Sequence, residues 1–313
     1  MRSQILIHPE ELSKNWIDRI ADAGVTVLGI HPWGGKHAEK SIQQMLEFLK
    51  TPEYRGLLDY AAERGLEIEY EIHAAGYLLP RDLFETHPEY FRMNENGERT
   101  PDWNFCVSDP KALSFVAKRA AELALALYRS GKRFYFWMDD GKDVHCRCPR
   151  CRDLSPSDQQ LLVINAMLSE IKKHISDAKM AYLAYFDSLS LPEMIKASPD
   201  VFLEYAPMEK YVAKSEDAAQ RIAREQAMIG PLMDFFGRED AKVLEYWYDN
   251  SLYSKWKKPP KEFHVDREAM AKDIDQYKAL GFSCISTFGC FLGADYEELF
   301  GAPDIVPFAE LTK

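Results

Sequence analysis

The sequence predicts a single (β/α)8 barrel over residues 1–313, and three observations predict it. Short β-branched or aromatic runs alternate eight times with longer amphipathic stretches, without a change of order. No linker or low-complexity tract divides the chain into halves. No glycine-rich dinucleotide turn follows any of the runs, which sets aside a doubly wound open sheet.

The elements follow in order. Gln4–His8 reads as the first strand, with a helix from Glu10 to Ala23 closed by Gly24 at the position where helices end in a left-handed residue. Val25–His31 is the second strand and runs into the loop Pro32–Gly35. Helical material from Glu39 to Arg64, interrupted near Pro52, leads to the third strand, Glu67–His73. Residues 74–109 carry little periodicity, and a loop of that length inside a barrel is expected to be functional. Pro110–Ser130 is an alanine- and leucine-rich helix, Arg133–Asp139 the fourth strand, and 140–156 a cysteine-rich loop. Ser157 starts the next helix with Gln160 as its capping-box partner. Met180–Asp187 and Val201–Ala206 are the fifth and sixth strands, followed by a helix Ser215–Phe236 bent at Gly230-Pro231. Val243–Asp249, the helix Asp266–Leu280 and Ser283–Phe288 complete the count.

Composition bounds the partners. A formal charge of −11 and a pI near 5.3 repel a phosphate backbone or an anionic bilayer, so neither nucleic acid nor membrane is expected. No apolar run is long enough to span a bilayer and no signal peptide opens the chain, so a cytoplasmic location is the expectation.

Alternate strand residues point to opposite faces. In the third strand Ile68, Tyr70 and Ile72 suit the helix side, leaving Glu67, Glu69, Glu71 and His73 for the barrel interior or mouth. The same parity turns Tyr135, Trp137 and Asp139 inward, then Tyr185 and Asp187, Glu204, and Glu245, Trp247 and Asp249. A purely structural barrel fills such positions with Val, Ile and Leu. Burying unpaired carboxylates costs several kcal/mol each, so these acids need partners, such as Arg133 or Lys242, or a purpose. Asp139 and Asp140, adjacent at the C-terminal end of the fourth strand, lie where barrel enzymes keep their chemistry. Acids beside Trp33, Trp103, Trp137, Trp247 and Tyr248 suit carbohydrate, because aromatic faces stack on sugar C–H groups and carboxylates do acid–base work. Tryptophans that fill the core are the plainer account of any one of them.

Cys146, Cys148 and Cys151 form a CxCxxC loop that could hold a structural zinc ion, with Cys106 or His145 as the fourth ligand. The one-residue gap is atypical of metal sites, and a disulfide or three free thiols are the other readings. No other cofactor is expected. His8, His31 and His73, each ending a strand, raise a metal-dependent hydrolase as a second class.

Several motifs carry a resemblance: EIHAAGYLLP at 71–80, HPEYF at 87–91, NFCVSDP at 104–110, WMDDGKDVHCRCPRC at 137–151, LAYFD at 183–187, EYAP at 204–207 and EYWYDN at 245–250. Through them the chain resembles a bacterial family of unknown function, number 4838, which is similar to glycoside hydrolases of families 20, 67 and 84. The resemblance implies a barrel acting on glycosides. By analogy with families 20 and 84, it implies a substrate-assisted mechanism in which Asp139 polarises the substrate's acetamido group and Asp140 is the general acid. It further implies that Tyr246 or Tyr248 bonds the acetamido oxygen and that Asp249 holds a sugar hydroxyl. Strand parity and the aromatic rim, independently of the resemblance, offer Glu71, His73, Trp33, Trp137, Asp187, Glu204 and Trp247 to line a sugar site. The eighth strand ends on Thr287 where a carboxylate is expected of the larger group, and the small β-rich domain that precedes the barrel in those relatives has no counterpart in these residues. A carbohydrate-binding barrel without turnover is the alternative of a different class.

Overall fold

Each of the eight runs forms a parallel strand, and in a computed structural model the strands close into a barrel in sequence order, β1-β2-β3-β4-β5-β6-β7-β8. The strands are β1 (Arg2–Ile7), β2 (Val27–Ile30), β3 (Glu67–His73), β4 (Arg133–Trp137), β5 (Lys179–Ala184), β6 (Val201–Tyr205), β7 (Lys242–Glu245) and β8 (Cys284–Phe288). The structure describes residues 1–129, 131–212 and 217–313, so the expected helix ends at Ser130 and Ser215 lie outside the described residues. The chain packs as two compact units, one of Met1–Pro32, Gln44–Tyr70 and Arg238–Lys313, the other of Trp33–Gln43 and Glu71–Gly237. No helix among the described residues is long and apolar enough to cross a membrane.

In the first unit Ser13 Oγ accepts from Trp16 N and caps the helix Lys14–Ala23, which Gly24 ends at φ 87°. Glu10 and Glu11, expected in that helix, form a separate 3₁₀ turn with Pro9. The helix Arg267–Leu280 begins one residue after the expected start because Asp266 caps it, accepting from Ala269 N, and Gly281 at φ 90° stops it. At the N-terminal strand ends, Arg2 Nη2 binds Glu67 at 2.6 Å and Glu69 at 2.7 Å. The buried acid Glu69 is therefore paired, with Arg2 among its partners.

In the second unit the helix Pro156–Ile171 corrects the expected cap. Ser155, not Ser157, is the N-cap, and Asp158, not Gln160, closes the capping box. Proline at the first helical position favours this register, while Ser157 is buried and its Oγ donates to Ser190 O at 2.6 Å. The expected long helix divides into Ala218–Ala227 and Ile229–Phe236. Pro231 lacks the N–H that would continue the ladder across the break.

Candidate active site

The second unit carries the acid pair. Trp137 on β4 donates from Nε1 to Glu204 Oε2 on β6 at 2.8 Å, across the intervening β5. Only side chains pointing into the barrel can meet across a skipped strand, so the parity that turned both inward holds. Tyr135 meets Phe202 edge-on by the same route. Trp137 is 4% exposed and stands edge-on to His73, so it builds the floor of the site rather than an open stacking face. Glu71 and Glu204 are fully buried beside this floor.

β4 ends at Trp137, and the two aspartates follow at the rim. Asp139 is anchored on every side. Its Oδ2 accepts from Arg81 Nη2 at 2.5 Å and its Oδ1 from Gly76 N at 3.2 Å, while its own N–H donates to Asn104 Oδ1 at 2.8 Å. Arg81 Nη1 also donates to Trp103 O, tying the guanidinium to the long loop. Asp140 is held differently: Tyr185, just past β5, donates its hydroxyl to Oδ1 at 2.7 Å. Its Oδ2 lies toward Gly34, where a Cβ would stand 3.5 Å away and only 3.0 Å from His73 Cδ2. Glycine at this position lets the loop of the half-buried Trp33 approach His73 and Asp140 closely. His73 is itself oriented, donating from Nδ1 to Met138 O at 2.7 Å.

An open cleft beside the pair is lined by His73, Asn104, Asp139, His145, Tyr185 and Asp187. Burial holds His145 below the ordinary imidazole range. Asp187 accepts the backbone N–H of Asp143, and one donor atom from each of Asp143, His145 and Asp187 lies within 4.8 Å of the others. Sequence reading missed Arg81 as a partner of Asp139 and Asn104 as a site residue. Both sit in the aperiodic segment 74–109, and only the NFCVSDP motif pointed at Asn104.

In the first unit the residues after β7 depart from the parity expected of them. β7 stops at Glu245, so the alternation that would aim Trp247 and Asp249 inward ends before reaching them. Trp247 donates from Nε1 to Asp273 on the helix Arg267–Leu280 and packs near Phe308, and Tyr248 donates its hydroxyl to Asp304 O. Burial raises the Tyr248 phenol. Asp249 caps a short helix through Ser251 N and Leu252 N, and its burial pushes the carboxyl up to about 6. Glu245 accepts from the buried Tyr277 hydroxyl at 2.5 Å, which ties it to the helix layer. Tyr246 packs on Phe288 at the end of β8. His8 stacks on His31 and bonds its carbonyl oxygen through Nδ1 at 2.8 Å. Among the described residues, neither cluster of side chains spaced for a metal ion includes His8, His31 or His73.

The other cluster is Cys106, Cys146, Cys148 and Cys151, four buried thiols with no disulfide among them. Hydrogen bonds from Cys146 and Cys151 draw the Cys106 thiol well below its usual range.

Fold and rim together define a (β/α)8 barrel with an acidic C-terminal face. Residues 38–229 match the family model described as a domain of unknown function, DUF4838, and the chain belongs to that family. No curated protein sequence matches. Among solved structures the barrel resembles a family 5 glycoside hydrolase of Prevotella bryantii B14, at 11% identity and TM-score 0.54, covering 96% of this chain and 86% of that one. It also resembles a cold-adapted β-galactosidase from Rahnella sp. R3, at 13% identity and TM-score 0.58, where it covers 99% of this chain but 55% of the other. A family 20 module of a pneumococcal exo-β-D-N-acetylglucosaminidase matches at 11% identity and TM-score 0.51, covering 99% of this chain and 82% of that one.

Proposed function

We propose that the protein is a glycoside hydrolase in which Asp140 is the general acid and the substrate supplies the nucleophile. The carrying observation is the pairing of an anchored carboxyl, Asp139, with a neighbour, Asp140, whose second oxygen makes no cap or ion pair among the described residues. In this reading Asp140 gives its proton to the glycosidic oxygen as the bond from C1 to that oxygen breaks. The carbonyl oxygen of a 2-acetamido group attacks C1 at the same time, giving a cyclic cationic intermediate that Asp139 stabilises by orienting the acetamido N–H. Water then adds to C1 with its proton passing back to Asp140, the acetamido C–O bond to C1 breaks, and the anomeric configuration is retained.

Glu204, the candidate for a separate protein nucleophile in this unit, is fully buried and bonded to the Trp137 indole, which favours assistance by the substrate over a double displacement. His73, Trp33 and Asp187 are the residues proposed to bind the sugar from this unit; Glu71 is fully buried, as Glu204 is. The positions of Trp247, Tyr248 and Asp249 give them packing and capping roles. Screening chromogenic N-acetylhexosaminides and glucuronides with the wild type and Asp140→Asn tests the reading. Turnover confined to 2-acetamido sugars and lost in the variant supports it; equal turnover by the variant removes Asp140 from the acid role. Tight sugar binding with no product after long incubation would make the barrel a binding module instead.

A further inference from the structure

The sugar chemistry leaves four cysteines unused, and their geometry is specific. Cys106 follows the point where Phe91 and Phe105 form an isolated antiparallel bridge, in the loop after β3. Cys146, Cys148 and Cys151 belong to the loop after β4. Cys106 Sγ lies 3.6 Å from Cys148 Sγ and 3.8 Å from Cys151 Sγ, and all four sulfurs fall within 4.8 Å of one another. Four thiolates about 2.3 Å from a tetrahedral zinc ion stand about 3.8 Å apart along each edge. A disulfide would need sulfurs at about 2.05 Å and would join them only in pairs.

We propose that Cys106, Cys146, Cys148 and Cys151 hold one zinc ion as a closed tetrathiolate that clamps the loop after β3 to the loop after β4. The surroundings suit it. A tetrathiolate around a divalent ion carries net negative charge, and Met93 N and Arg99 Nη1 donate to Cys146 Sγ at 3.4 and 3.8 Å. Gln159 shapes the backbone of the cysteine loop without the metal. Its Oε1 accepts from Cys146 N at 3.0 Å, and its Nε2 donates to the carbonyls of Cys146, Cys151 and Leu154 at 3.0, 3.3 and 3.2 Å. All four ligand positions are protein sulfur and all four residues are buried, so the ion has no open position for chemistry and its role is structural. The fourth ligand, Cys106, also resolves the atypical one-residue gap, because the second chain segment supplies the reach that a longer gap would give. Asn104, two residues before Cys106, accepts from Asp139 N, so the clamped loop also carries a support of the acid pair.

The test uses the full chain, purified reduced and reconstituted with zinc or cobalt. Elemental analysis is expected to give about one zinc per chain. The cobalt form is expected to show visible d–d bands and near-ultraviolet thiolate-to-metal bands of a tetrahedral all-sulfur site. Cys148→Ser should lose the zinc, while Asp143→Asn, in the neighbouring acid–histidine cluster, should keep it. Chelation should open the loop to trypsin at the exposed Lys142, Arg147, Arg150 and Arg152. Failure of reduced wild-type protein to bind zinc or cobalt would overturn the proposal, as would a cobalt spectrum of nitrogen and oxygen ligation or zinc lost in Asp143→Asn but kept in Cys148→Ser. Should Cys148→Ser fail to fold, the wild-type cobalt spectrum decides alone. Every readout is made without substrate, so the outcome is independent of the glycosidase reading.

Discussion

Acids at the strand ends of the two units live in opposite surroundings. In the unit of Glu71–Gly237, Asp139 meets a guanidinium and a backbone N–H and lines an open cleft with Tyr185, whose hydroxyl the half-buried Asp140 accepts. In the other unit, Glu11 accepts from His8 N but is otherwise desolvated, which pushes its carboxyl up to about 8, and Asp249 caps a helix in a buried position at about 6. The same residue type after a barrel strand thus becomes an addressable group in one place and a packed, partly protonated one in the other. Position at the rim nominates a carboxyl for chemistry. Its partners and its solvent decide whether it can do any.

The contrast can be broken most severely at Asp140. Asp140→Asn removes the transferable proton and is expected to lower kcat/KM by about 10²–10⁴ on glycosides with poor leaving groups, with the circular dichroism spectrum unchanged. The anchor of Asp139 comes next. Arg81→Met strands a carboxylate whose side chain is only 7% exposed, and urea unfolding should lose about 2 kcal/mol.

The buried acids of the other unit predict a pH effect of definite sign. Glu11 titrates near 8 folded and near its ordinary 4.5 unfolded, so between those values the native state binds more protons than the unfolded one. Stability therefore falls as pH rises through that window, and the loss is complete above the folded value. Asp249 acts in the same direction between its ordinary 3.8 and about 6. Thermal unfolding should drop by a few degrees from pH 5 to pH 8, and Glu11→Gln should flatten that slope. A midpoint that rises over the same range would contradict the desolvated environment. Smallest is Gly34→Ala, whose Cβ would press on His73 at 3.0 Å. A shift of a few tenths of an ångström is enough to relieve it, so a cost of about 1 kcal/mol and a several-fold rise in KM are expected.

The barrel was legible because periodicity is a property of whole elements. β3 runs from Glu67 to His73 as its alternation indicates, and inward Trp137 and Glu204 follow from parity alone. Parity failed on β7, where Glu245 bonds Tyr277 of the helix layer and the strand stops before Trp247 and Asp249, which obey packing and capping geometry instead. The partners of the acid pair were harder to read. Arg81 and Asn104 reach Asp139 over sequence separations of 58 and 35 from a segment of short helical turns, such as the 3₁₀ turn Arg81–Glu85, where no period in the sequence links a residue to a direction. The capping box slipped by two residues because Ser155-Pro156 competes with Ser157 for the same signal, and proline at the first helical position decides it.

The central claim is that Asp140 protonates the leaving group, and its most direct test is a leaving-group series. Aryl 2-acetamido-glycosides spanning activated to poor phenols would be turned over by the wild type and by Asp140→Ala. The account predicts that the variant keeps turnover on the activated phenols, which need no proton, and loses it progressively as the phenol becomes more basic. A variant equally impaired on every leaving group, or equally active on all of them, would contradict it.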